Sequence, residues 1–135
     1  LIFPRRRHFA SAWHTFKHTR HHGHSKLSQT LTLAIEMLAI ATLLACMDAE
    51  VTLFLTGEAT QLARREVADR LRAIEGGEPL RHFIGQAKSA GARLLMCRQP
   101  GVVIVAEALI DELDDISSGG ELAQMILEYD RVLTL

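Results

Sequence analysis

From Leu27 onward the chain alternates apolar helical stripes with short β-rich runs. Leu27, Leu31, Ile35, Leu38 and Ala45 share one helical stripe, and Leu33, Met37, Ile40, Leu44 and Met47 form a second. The spacing predicts a helix ending near Met47, with Thr32, Glu36 and Thr42 as its polar positions after Leu31. A helix apolar on more than one face is covered by more than its own sheet, so a subunit contact is expected on its outer side. Residues 50–56 read as a buried parallel strand ended by Gly57. Residues 58–74 read as a helix with Leu62, Val67, Leu71 and Ile74 apolar, closed by Gly76-Gly77. Pro79 suits the first turn of a further helix running to about Ala90, and Gly91 stops it.

The C-terminal half continues the alternation. Residues 92–96 form a predicted strand with Cys97 after it. Pro100-Gly101 marks a turn, and residues 102–110 are expected to be helical despite their three valines and isoleucine. Residues 114–117 read as a short strand, 121–129 as a helix and 131–135 as a final strand. Strands alternating with helices define an α/β domain, a parallel sheet with helices on both faces.

The first 26 residues break this pattern. Phe9, Ala12, Trp13 and Phe16 carry the stripe of a short amphipathic helix, and Leu1-Ile2-Phe3, stopped by Pro4, reads as a strand remnant. The first residue is Leu1, so the native N-terminus is expected to lie upstream.

Charge sharpens the division. The chain has 135 residues and a mass of 15.0 kDa, enough for one domain. Its net charge of -1 comes from 15 basic and 16 acidic residues. Arg5, Arg6, Arg7, Lys17, Arg20 and Lys26, with six of the seven histidines and no acid, lie in residues 1–26. Residues 27–135 therefore carry a balance of -7. A cationic arm on an acidic body argues against a uniformly basic nucleic-acid binder.

Membrane readings of the apolar helix fail on Glu36. A span needs about 20 mostly apolar residues, and Glu36 sits in the middle of a shorter run. Leu43-Leu44-Ala45-Cys46 resembles a lipobox, but the same glutamate, and the third of a small domain it would discard, argue against that. A buried helix in a cytoplasmic protein is the expectation. The aromatic cationic arm offers a third hypothesis, docking on an acidic membrane surface or an acidic partner, ranked below packing on the domain.

Candidate chemistry is sparse. Gly76-Gly77 and Gly119-Gly120 lack the context of a phosphate-binding loop, and no Gly-x-Ser-x-Gly elbow is present. The run Asp111, Glu112, Asp114, Asp115 reads as a solvated helix end. Two cysteines exclude a disulfide scaffold.

Cys97 stands out by position, because reactive groups in open α/β sheets gather beyond the carboxyl ends of the strands. Arg98, and a helix starting near Val102, would both favour its thiolate. The other reading is a small buried hydrophobe capping a strand. Cys46 closes a helix running against the strands, so it lies at the opposite sheet edge. A five-residue strand spans roughly 17 Å, beyond the ~7 Å limit for bridged Cα atoms, so no Cys46–Cys97 disulfide is expected.

The histidines fall at the Cys97 edge, where the first helix begins. His18, His21, His22 and His24 are candidate ligands for a divalent metal, or cationic help for an anionic substrate; a solvated loop is the alternative. No other cofactor is expected, and His82 reads as a surface residue.

The run Ala49-Glu50-Val51-Thr52-Leu53-Phe54-Leu55-Thr56-Gly57-Glu58-Ala59 after an apolar helix resembles the DsrE/DsrF-like family of sulfur-relay proteins. So do residues 87–97, a helix, glycine, strand and cysteine, and the ending from Gly119-Gly120-Glu121 to Thr134. The resemblance covers about residues 27–135. It implies a small flavodoxin-like α/β fold that assembles into homo-oligomers and opens on a strand, which Leu1-Ile2-Phe3 would supply here. It implies that Cys97 carries sulfur as a persulfide between donor and acceptor proteins. A non-catalytic oligomeric binding protein of the same fold, with Cys97 structural, is the competing reading.

Overall fold

The computed structural model describes residues 7–12 and 23–134, with side chains from residue 31 onward. Five strands form one parallel sheet: β1 (Arg7–Ala12), β2 (Glu50–Leu55), β3 (Arg93–Cys97), β4 (Asp115–Ser117) and β5 (Arg131–Thr134). Their order across the sheet is β4-β3-β2-β1-β5. This is a flavodoxin-like α/β layer architecture with its own strand order, since the flavodoxin order is 2-1-3-4-5.

The handedness of parallel crossovers explains where the helices lie. From β1 to β4 the chain steps in one direction, and right-handed connections hold everything between those strands on one face. The connection from β4 back to β5 runs the other way, so its helix must cross the opposite face. The packing agrees: α1 (Gly23–Cys46), α2 (Arg65–Arg70) and α3 (Leu80–Ser89) meet Val51, Leu53, Leu55, Leu94 and Met96. On the other face Leu122, Met125 and Tyr129, from α4 (Gly119–Glu128) and its C-cap, pack against Phe54 and Leu95.

In α1, Leu31, Ala34, Met37, Leu38 and Ala41 are buried at spacings of three and four, the side turned to the sheet. Leu33, Ile40, Leu43 and Met47 are exposed on the outer side, as is Glu36. Asp48, at φ 63°, ends the helix, with Ala49 N–H donating to Leu44 C=O and Asp48 N–H to Ala45 C=O. In α3, Leu80, Ile84 and Ala87 face inward, and Gly91, at φ 104°, ends the helix where the sequence places its stop.

Three expectations are corrected. Residues 7–12 are a strand between β2 and β5, where the stripe beginning at Phe9 had indicated a helix. Sheet pairing outweighs a weak local helical pattern; the proposed strand at residues 1–3 lies outside the described residues. Residues 58–74 do not form one helix. A 3-10 turn (Gly57–Ala63) and α2 are separated by Arg64, and Leu71 is already extended.

Residues 102–105 are neither helix nor strand, and a short 3-10 turn at Ala106–Ala108 is all that follows. Four consecutive β-branched residues lose side-chain freedom in a helix. This strap takes the place of a crossover helix between β3 and β4, burying Ile110 and half-burying Ile104 and Leu109 on the α1 face.

Candidate functional site

Cys97 is the last residue of β3 and pairs in register with Ser117, the last of β4. Arg98 N–H donates to Ser117 C=O at 2.8 Å, so the two strands end together. Strand alternation sends Leu94 and Met96 to the α1 face, and Leu95 and Cys97 to the α4 face. The Cys97 side chain is half-buried against Phe54 and Leu95, and its Sγ lies 3.7 Å from Arg98 C=O. It is a free thiol at the carboxyl edge of the sheet, as the sequence placed it.

The helix near that edge is not the one expected. No α-helix starts at Val102; the helix that begins beside Cys97 is α4, directly after Ser117. Its N-cap Ser118 accepts from Glu121 N–H, and Glu121 carboxylate accepts from Ser118 N–H at 2.6 Å. That carboxylate offsets the positive end of the helix dipole. Arg98 is exposed next to the thiol.

Beside Cys97 opens a cleft of about 170 Å³. One wall is Thr60, Gln61 and Arg64 from the turn after β2; the other is the strap, residues 102–105 with Ala108 and Leu109. Met96, Cys97 and Gln99 complete its lining. Gln99 Nε2 donates to Gly57 C=O at 2.7 Å, and Thr60 Oγ1 donates to the same carbonyl at 2.8 Å. Gly57 has φ 54°, a left-handed conformation natural to glycine, and its carbonyl ties the two loops.

The far end of the strap is held by charge. Arg81 bonds Glu112, Asp69 and Asp111, while Arg65 bonds Asp111 at 3.0 Å and the Leu109 carbonyl at 2.9 Å. Hydrogen bonds to Glu112 and Asp69 push the Arg81 guanidinium above its ordinary range, and Arg65 holds Asp111 below the usual carboxylate range. Asp114 is drawn both ways: burial raises it, but bonds from Lys88 and the Leu94 N–H prevail and lower it. Asp111, Glu112 and Asp114 are therefore ion-paired residues of a loop leading into β4, where a solvated helix end was expected, and exposed Asp115 opens the strand.

Cys46 is exposed and free at the end of α1, at the sheet edge where β2 begins, opposite Cys97. His18, His21 and His22 lie outside the described residues, and His24 belongs to the first turn of α1. Among the described residues no group of three His, Cys, Asp or Glu could hold a metal ion. His82 is exposed, its ring edge-on to Phe83. Gln61, Arg64 and Gln99 were not singled out by the sequence. Their one signal is position, after the glycine and before the Pro-Gly turn that punctuate the ends of β2 and β3.

A five-stranded parallel α/β protein with a free cysteine at the carboxyl edge of an inner strand is the class that fold and site define. The DsrE/DsrF-like family profile matches residues 27–135, and the chain belongs to that family. The match starts within α1, although β1 is part of the same sheet. No significant match was found among curated proteins. Among the described residues no helix is long and apolar enough to cross a membrane.

Proposed function

We propose that this protein is a sulfur-relay component that carries a persulfide on Cys97. The observation that carries the reading is the placement of a free, half-buried thiol as the last residue of β3, in a chain of the DsrE/DsrF-like family. A thiolate at that edge attacks the outer sulfur of a donor persulfide. The donor's S–S bond breaks, its thiolate leaves, and Cys97 holds R–S–S⁻ for an acceptor thiolate to strip. One cysteine suffices, and Cys46 takes no part because it lies at the opposite edge. Arg98 is assigned a supporting, electrostatic role. Two free thiols suit a reducing cytoplasm.

The contact of Cys97 with Phe54 and Leu95 favours a second reading, a binding protein in which Cys97 is structural. Rates of alkylation of Cys97 and Cys46 against pH separate the two. A carrier shows Cys97 reacting at least as fast as exposed Cys46 at neutral pH; a structural cysteine stays inert until the protein unfolds.

Homo-oligomerisation is part of the proposal. All-parallel sheets are covered on both faces, yet on the second face α4 has no fully buried residue and leaves Ile126 and Leu127 exposed. Leu33, Ile40, Leu43 and Met47 leave the outer side of α1 equally apolar. Sedimentation velocity should show a species larger than 15.0 kDa that Leu43→Asp or Leu127→Asp reduces; a wild-type monomer throughout contradicts it.

A further inference from the structure

We infer that the cleft between the Gly57–Ala63 turn and the strap is a binding site for a small aliphatic anion, with Arg64 as its charge-recognising residue. The two walls differ in chemistry. Met96, Val102, Val103, Ile104, Val105, Ala108 and Leu109 give an apolar side, and Thr60, Gln61, Arg64 and Gln99 a polar one. No carboxylate lines it, although residues 27–135 carry a balance of -7. Arg64, the one cationic residue of the lining, is thus set in an acid-free hollow on an acidic body.

Arg64 differs from its neighbours in what it is bonded to. Arg65, one residue on, is committed to Asp111 and Leu109, and Arg81 to three carboxylates. Among the described residues Arg64 enters no ion pair. Its backbone bridges to Leu109 on the strap, and its amide donates to Gln61 C=O, so its place in the wall is fixed from both sides. An exposed guanidinium with five donors and no protein partner among the described residues, beside valines exposed as far as 85%, fits a ligand with one charged end and one apolar body.

Size narrows the class. A volume of about 170 Å³ falls below the ~300–1,000 Å³ of sites for drug-sized ligands. A branched chain of a few carbons with a single anionic group is the occupant that matches. Cys97 also lines the cleft where β3 ends, so the occupant sits beside the proposed sulfur site, but its binding does not depend on sulfur carriage.

The test is a nitrogen-15 NMR titration of the full chain with isovalerate and, in parallel, with the neutral isostere isovaleramide. Saturable shifts are expected at Gln61, Gln99 and Val103 with isovalerate. Loss of a charged hydrogen bond makes isovaleramide, and Arg64→Gln titrated with isovalerate, roughly 10- to 100-fold weaker. Arg64→Lys recovers part of the loss. The titrations use the reduced protein with no sulfur donor present, which keeps this result separate from the fate of the persulfide reading. Absence of saturable shifts, equal affinity for acid and amide, or undiminished binding by Arg64→Gln overturns the inference. The acid–amide comparison needs no variant to fold.

Discussion

Cys97 and Ser117 face each other at the ends of adjacent parallel strands, and the amide after Cys97 donates to the Ser117 carbonyl at 2.8 Å. The chain turns from Ser117 directly into the capping box of α4, so the position of the thiol and the start of the helix are set by one piece of backbone. Ser118→Ala removes the acceptor for Glu121 N–H. The expected loss is about 1 kcal/mol of stability, measured by urea unfolding, with earlier amide exchange at residues 117–121. Unchanged exchange there contradicts the coupling.

On the second face of the sheet, Tyr129 Oη lies 2.6 Å from the fully buried Thr52 Oγ1. Tyr129→Phe should cost about 1–2 kcal/mol, because a buried hydroxyl loses a partner. Thr52→Val in the same chain should recover part of that cost, since removing both polar groups is milder than removing one. A double-mutant cycle of denaturant midpoints measures the coupling. Strict additivity would show that the two hydroxyls do not support each other.

Acid should weaken the loop before β4. The Asp114 carboxyl is lowered in the folded protein, so its stabilising contribution is full above the unfolded value of about 3.9 and is lost as pH falls through the folded value. Asp114→Asn, which keeps an acceptor for Leu94 N–H but loses the charge facing Lys88, should be less stable at pH 6. That deficit should shrink below about pH 4. Melting temperatures for both proteins across that range check it; parallel curves contradict it.

Much of the sheet was legible in the sequence because β2 and β3 are short apolar runs bounded by glycine, and α3 has apolar residues at regular helical spacing. β1 was not, because Arg-His-Phe-Ala-Ser-Ala has few strand-favouring residues and becomes a strand by pairing with partners more than forty positions away. The strap misled for the opposite reason. The alternation of strands and helices called for a crossover helix here despite the valines and isoleucine, whereas β-branching and the preceding Pro-Gly turn kept residues 102–105 out of helix. The place of Cys97 at the end of a strand was legible from the apolar run before it, while its selection as the candidate thiol rested also on the family resemblance. The cleft was not, since Arg64 and Val103 come to line one hollow only after β2, β3 and the strap are in place.

Persulfide loading tests the central claim most directly. The intact protein is incubated with a persulfide donor, weighed by mass spectrometry, and mapped by peptide under non-reducing conditions. The account predicts a gain of one sulfur atom, located on Cys97, abolished in Cys97→Ser and retained in Cys46→Ser. Loading that persists in Cys97→Ser, or a wild-type protein that takes up no sulfur while its Cys97 remains open to alkylation, would contradict it.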